Sequence, residues 1–220
     1  DGTSKFAQEN RWGFFPSGAF AWQMGSEDFI KRWDIISDAK LRISYGLSGN
    51  NRIGDYARYQ NVVLSTFFSF NNQKPEYIAM VNNMGNQDLN WEKTAQLDIG
   101  YDLSLFKNRI NLNLDVYSKI TRDLLLNANL PLSTGFSTVY KNVGKIRNQG
   151  LEFTLNTVNI NSKSFKWQTE FNISFNRNKI LELAENQDMI QSTVPFTGDY
   201  NGTFLYQAKL GEPAGQFYGY

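Results

Sequence analysis

Apolar and polar residues alternate along several stretches of this chain, the pattern of a β-strand with one apolar and one polar side. The clearest run, INLNLDVYSK from Ile110, places aliphatic residues on one face and mostly Asn and Asp on the other. Similar runs are AKLRISYGL from Ala39, TAQLDIGYDLSL from Thr94, LEFTLN from Leu151 and FKWQTEFNISFNRNK from Phe165. Together with an aromatic-rich region at residues 12–22, which Pro16 interrupts, they predict about six strands. Several exceed the roughly 9 to 11 residues that cross a bilayer at a tilt.

The connections between these strands alternate in length. Short turns are expected at residues 107–109 and 159–164, and long polar stretches at residues 47–91, 126–142 and 179–204. Outer-membrane barrels combine brief periplasmic turns with extended extracellular loops in this way. The sequence therefore favours a segment of a large antiparallel transmembrane β-barrel, an all-β fold.

One segment between the first strands has a helical signal. Residues 26–33, SEDFIKRW, begin with Ser26 as an expected N-cap, and Glu27 and Asp28 suit the positive end of a helix. We expect a helical turn here, on the same side as the short turns.

Aromatic residues cluster near the expected ends of the strands. Placing the short turns at one rim puts Phe106, Phe165 and Trp167 at one membrane interface and Trp91 near the opposite end of its strand. This distribution is typical of the aromatic girdles of membrane barrels. The alternative is that these aromatic residues form the core of a soluble antiparallel sheet.

Composition excludes several classes of function. The chain has 220 residues, 22 basic and 21 acidic, so its formal net charge of +1 gives no footprint for nucleic acid. Neither cysteine nor histidine occurs, which removes disulfides, thiolate metal sites and the commonest catalytic base. No apolar run is long enough for a membrane-spanning helix, and the first residues lack the apolar core of a signal peptide.

Seven segments, in order along nearly the whole chain, resemble the C-terminal barrel half of TonB-dependent transporters of the SusC/RagA type. They are NRWGFFPSGAFAW from Asn10, LRISYGLSGNNRIGDY from Leu41, NQDLNWEKTAQLDIGYDLSLFKNRINLNLDVY from Asn86, TRDLLL from Thr121, NVGKIRNQGLEFTLN from Asn142, FNISFNRNKILEL from Phe171 and GEPAGQFYGY from Gly211.

The resemblance implies a barrel of about 22 strands, an N-terminal plug domain, energy coupling through TonB and a SusD-like surface lipoprotein as partner. The expected cargo is an oligosaccharide or a peptide, and no cofactor is implied. We expect residues 1–220 to be part of the barrel domain, with the plug and the N-terminal regions outside this chain. About six strands cannot close a barrel by themselves, because the smallest ones use about eight.

Charged residues on the polar faces suggest a lumen lining rather than a catalytic or metal site. Asp98 and Asp102 share a face, but four strand residues separate them by about 13 Å, too far for a catalytic carboxylate pair. A second group with the same interpretation comprises Asp115, Glu152, Glu170, Lys40, Arg42 and Lys166. The run TGDYNGT from Thr197 lacks the closing Glu of a calcium loop. We therefore expect no catalytic, cofactor or metal residues and no enzymatic activity.

Aromatic residues in the long loops are the candidate contacts to substrate or lid, because flat aromatic surfaces suit the apolar faces of sugars. They are Tyr56, Tyr59, Phe67, Phe68, Phe70, Tyr77 and Tyr200. The function that fits these observations is TonB-dependent import of a large nutrient across the bacterial outer membrane. Two alternatives remain at this point: a soluble carbohydrate-binding sheet module and a passive porin.

Overall fold

The computed structural model describes residues 1–68, 76–184, 187–193 and 204–218. In this part of the chain the strands are β1 Ser17–Gln23, β2 Ile36–Asn50, β3 Val62–Phe68, β4 Glu76–Val81, β5 Glu92–Leu105, β6 Ile110–Arg122, β7 Leu125–Asn129, β8 Thr138–Asn142, β9 Lys145–Asn161, β10 Lys166–Glu182, β11 Met189–Thr193, β12 Phe204–Lys209 and β13 Gln216–Phe217. The helical elements are one short α-helix, α1 Asp28–Lys31, and the 3-10 turns Gln8–Asn10, Met24–Ser26 and Leu132–Thr134.

Six long strands form one antiparallel sheet in the order β1-β2-β5-β6-β9-β10. These are the six strands that the alternating pattern predicts. No helix in the described residues is long and apolar enough to cross a membrane.

Register aligns the alternation of each strand with that of its neighbours. One row runs through Leu41, Tyr101, Leu114, Phe153 and Ile173, which face one another across five strands. The adjacent row, one residue along, is polar and charged, because successive side chains of a strand point to opposite faces. The sheet therefore has one largely apolar face and one polar face.

The connections are sorted by length, as predicted. Residues 24–35, 106–109 and 162–165 join the strands at one end, which we call the short-turn rim. Residues 51–91, 123–144 and those following β10 emerge at the other end, the long-loop end.

The long loops contain short strands that the alternating pattern does not predict. The pairs β3-β4 and β7-β8 each form a two-stranded sheet, and β11-β12-β13 form a three-stranded one. Their lengths of 5 to 7 residues in the first two pairs are too short for a clear alternation to stand out.

The helical turn occurs where it is predicted, but its cap differs. The α-helix begins at Asp28 with Glu27 in the N-cap position, which makes no side-chain cap hydrogen bond. Ser26 belongs to the preceding 3-10 turn, in which the Glu27 N–H donates to the Met24 carbonyl oxygen at 3.0 Å. This extra turn moves Ser26 away from the helix start, so the predicted Ser26 cap is wrong.

Candidate functional site

The polar face carries an ion-pair network that crosses three neighbouring strands. Arg42 of β2 donates from Nε to Asp102 Oδ2 at 2.8 Å and from Nη2 to Asp102 Oδ1 at 2.9 Å. The same Nη2 donates to Asp115 Oδ1 of β6 at 2.9 Å. Asn113 Nδ2 donates to Asp102 Oδ1 at 2.7 Å. Two carboxylates thus surround one guanidinium, which leaves this cluster with one net negative charge.

A glycine makes room for this network. Gly100 of β5 lies in register between Arg42 and Asp115. A Cβ atom on Gly100 would lie 2.5 Å from Arg42 Cζ and 2.5 Å from Asp115 Oδ1. The absent side chain lets the guanidinium lie flat over β5 and reach the next strand.

The same arrangement occurs a second time on the polar face. Tyr117, Gly150 and Asn176 are in register on β6, β9 and β10. The Tyr117 hydroxyl lies 2.7 Å from Asn176 Oδ1, to which it donates across the glycine. A Cβ atom on Gly150 would lie 2.4 Å from Tyr117 Cε1.

The two carboxylates considered as a possible pair belong to separate networks. Asp98 shares the face of Asp102, as expected, but accepts from Ser44 Oγ at 3.4 Å and from Gln96 Nε2 at 3.0 Å. Within the described residues, no group of three His, Cys, Asp or Glu side chains is placed to hold a metal ion. The run from Thr197 to Thr203 lies outside those residues.

Many large side chains on the apolar face of the sheet are exposed in the described part of the chain. Phe20 is 59% exposed, Phe171 49% and Phe175 60%, although all three sit in the middle of strands. Among the described residues, the hydrophobic core cluster lies elsewhere, in the loops. A soluble sheet would bury these side chains in its interior, so the structure does not support that alternative.

Aromatic residues follow the short-turn rim. Phe106, Phe165 and Trp167 are 49%, 57% and 53% exposed there, in the positions that the girdle prediction gives them. Three more rim residues, one near the end of β1 and two in or just after the helical turn, were not assigned to the girdle from the sequence. They are Trp22, Phe29 and Trp33. The rings of Trp22 and Phe29 have centroids 6.3 Å apart.

Trp91 is the exception, and its girdle prediction is wrong. It is only 5% exposed and packs in the loop core at the long-loop end, with Phe6 and Leu89. The Phe6 and Phe15 rings meet it edge-on, with centroids 5.7 and 5.3 Å away. The N-terminal segment, which sequence alternation does not describe, folds over this indole and covers it.

Asparagine side chains hold the loop segments together. Asn142 Nδ2 donates to the Asn90 carbonyl oxygen at 2.7 Å and to the Asp123 carbonyl oxygen at 3.0 Å, while its Oδ1 accepts from the Asn90 N–H at 2.7 Å. Asn86 Nδ2 donates to the Tyr140 carbonyl oxygen at 2.8 Å. Except for the bond to Asp123, these bonds join residues more than fifty positions apart, so they tie distant loop segments together.

Comparison with known protein families identifies the family of this chain. The family model described as "TonB dependent receptor-like, beta-barrel" matches residues 1–219. This chain belongs to that family.

Curated receptors of the family confirm the assignment. TonB-dependent receptor P3 of Formosa agariphila is 37% identical over 224 residues, and the alignment covers 100% of this chain and 22% of the receptor. TonB-dependent receptor SusC of Bacteroides thetaiotaomicron is 33% identical over 225 residues, with 100% and 22% covered. The chain thus spans about a fifth of the length of these relatives.

Solved structures show the same fold. The structure of the RagAB peptide transporter matches with a TM-score of 0.79 and 27% identity, covering 96% of this chain and 22% of that one. The RagAB peptide importer in its "closed-closed" state gives a TM-score of 0.81 at 27% identity, covering 98% and 22%. The expected resemblance to SusC/RagA-type transporters and the expected fold, a segment of a larger antiparallel barrel, are both confirmed.

The candidate loop aromatics of this receptor segment have different surroundings. Tyr56 is 72% exposed and Tyr59 43%, and the Arg58 guanidinium lies 4.5 Å from the centroid of the Tyr59 ring. Phe67 and Tyr77 are paired in the backbone register of β3 and β4, with Phe68 beside them in β3. Phe70 and Tyr200 lie outside the described residues. The role of all these loop aromatics in binding stays a prediction.

Proposed function

We propose that the complete protein imports a large nutrient across the bacterial outer membrane with energy supplied through TonB. Residues 1–220 belong to its barrel domain and supply wall and loops, whereas the plug lies outside them. The observation that carries this proposal is the pairing of an exposed apolar face with a charged, hydrogen-bonded polar face on the same six strands. Such strands fit hydrocarbon on one side and a water-filled lumen on the other.

The polar face suits passage rather than binding at a single point. Arg42 is neutralised by Asp102 and Asp115, and Asp98 is held by Ser44 and Gln96. Charged groups that already have hydrogen-bond partners offer less to a charged ligand, so this wall accommodates a neutral or mixed-charge cargo.

The cargo is an oligosaccharide or a peptide, and a SusD-like surface lipoprotein covers the long-loop end. Support comes from the family and from the neighbours, one of which is a peptide transporter by its own description. The exposed rings of Tyr56 and Tyr59 lie at that end, on loops that the asparagine contacts hold in place. Stacking on a sugar ring or on a lid residue suits both side chains.

Two observations weigh against other functions. The matching family is one of TonB-dependent receptors and not of enzymes, which supports a wall without an enzymatic role. A passive porin does not need TonB, whereas the matching family is TonB-dependent.

Uptake by cells tests the proposal directly. A strain that relies on the full-length receptor is grown on single oligosaccharides or peptides, with TonB present and with TonB deleted. We expect uptake of at least one cargo that stops without TonB. Uptake that continues without TonB supports the porin, and recovery of the receptor in the aqueous fraction without detergent contradicts the membrane location.

A further inference from the structure

Six basic residues lie on the apolar face of the sheet, at its long-loop end. They share that face because the register of β5, β6, β9 and β10 keeps them in phase with the apolar rows below. We call this group the basic belt. Its members are Lys93, Arg122, Lys145, Arg147, Arg177 and Lys179.

The belt places like charges directly opposite one another. Arg122 is in register with Lys93 on one side and with Lys145 on the other. Lys179 is in register with Arg147. Facing cations across paired strands are destabilising unless anions lie close by.

The described chain supplies almost no counter-charge. None of the ion pairs or side-chain hydrogen bonds found within the described residues involves a belt residue. One acidic residue, Glu182, is in register with Lys145 beyond a β-bulge at the edge of the sheet, and it forms no ion pair. Four acidic residues lie on the polar face, so the sheet separates them from the belt. They are Asp98, Asp102, Asp115 and Glu152.

The height of the belt fits a membrane boundary. Strand β5 runs from Leu105 at the short-turn rim through Leu97 to Lys93. At about 3.3 Å per residue and a tilt of about 40°, the stretch from Leu105 to Lys93 places the belt roughly 30 Å above that rim. The apolar band of such barrels is about 25 Å tall, so the belt sits where the far lipid headgroups begin.

We propose that the basic belt docks the phosphate-bearing headgroups of the lipid in the outer leaflet. Three observations favour this occupant: the charge of the belt, the absence of ion pairs to it among the described residues, and its continuity with the exposed apolar face. Lys and Arg stems extend along apolar surface while their charged ends reach headgroup phosphates. The inference rests on the proposed membrane location but does not depend on cargo or on TonB.

Binding of a defined lipid tests the belt. The full-length receptor in detergent is titrated with phosphorylated lipid A, and with the same lipid after removal of its phosphates, and bound lipid is counted by native mass spectrometry. The variant Lys93→Gln/Lys145→Gln removes two belt charges. The control Lys40→Gln/Lys119→Gln removes two charges from the polar face, where register places both residues.

The belt variant is expected to bind phosphorylated lipid A about 30-fold more weakly than the unchanged receptor, and the control variant equally well. Equal binding of the phosphorylated and dephosphorylated lipids, or equal losses in both variants, would overturn the proposal. Displacement of the lipid by an equal concentration of inorganic phosphate would also overturn it, because the belt would then be a general anion site. A receptor that prefers phosphorylated lipid A but imports no nutrient would count against the proposed function and not against the belt.

Discussion

Gly100 offers a sharp test of the polar face, because its missing side chain is what lets Arg42 reach two other strands. In Gly100→Ala, the new Cβ would lie 2.5 Å from Arg42 Cζ, 2.5 Å from Arg42 Nη2 and 2.5 Å from Asp115 Oδ1. Real Cβ atoms do not approach other atoms so closely, so the guanidinium must lift away from β5.

The expected cost follows from what is displaced. Overpacking in a well-fitted site costs about 1 to 3 kcal/mol. Lifting the guanidinium also weakens the 2.9 Å bonds from Nη2 to Asp102 and Asp115. Because the Arg42 side chain is 39% exposed, water replaces part of that loss. The clashing atoms are the ends of flexible side chains that can move, so the lower end of this range applies and we expect the free energy of unfolding to fall by about 1 kcal/mol.

The measurement compares the unchanged receptor with its variants. Each full-length protein is unfolded with guanidinium chloride in detergent micelles, and unfolding is followed by tryptophan fluorescence. Gly18→Ala in β1 is the matched control, because a Cβ there would meet no atom within 4 Å. It is expected to leave stability unchanged or to raise it by about 0.4 to 1 kcal/mol, as the unfolded chain loses freedom.

A double-mutant cycle separates the clash from any general effect of the substitution. In an Arg42→Ala background, Gly100→Ala should cost clearly less, since the guanidinium is gone. The reasoning is refuted if the cost of Gly100→Ala is the same in both backgrounds, or if Gly18→Ala is equally destabilising.

Three further predictions concern the faces, a turn and the loops. Leu114→Arg, on the apolar face, should lower the free energy of unfolding by about 2 to 4 kcal/mol in a lipid-based assay. Asn113→Arg, on the polar face, should be tolerated. Equal costs for the two variants would contradict the assigned faces. Lys107→Gly should stabilise by about 1 kcal/mol, because Lys107 has a left-handed φ of 57°; an unchanged unfolding midpoint would contradict this. Asn142→Ala should speed hydrogen exchange of the Asn90 backbone N–H at least tenfold, because that N–H loses its acceptor at 2.7 Å. Unchanged exchange would show that the contact is dispensable.

Much of the sheet follows from alternation alone. In β6, Ile110 to Val116 alternate so regularly that the strand and its two faces follow from the pattern. The requirement that one face stay apolar also excludes a slip of one residue against β5, although not a slip of two. The sorting of short and long connections follows as well, because it needs only the ends of the strands.

The remaining features depend on contacts between segments distant in sequence. Trp91 was expected in a girdle because it ends an alternating run, but the N-terminal segment packs Phe6 and Phe15 against it. Gly100 has no sequence signal of its own, since its role arises only once register places it between Arg42 and Asp115. Single-strand periodicity contains no information on such neighbours.

The amide contacts of Asn142, Asn86 and Asn83 have a consequence for the cell surface. All three join loop backbones without a formal charge: Asn142 to Asn90, Asn86 to Tyr140 and Asn83 to Tyr59. A carboxamide does not titrate, and neutral bonds are little affected by dissolved ions. In the proposed orientation, with the long-loop end outside the cell, these contacts should therefore persist as the acidity and salinity of the surroundings change.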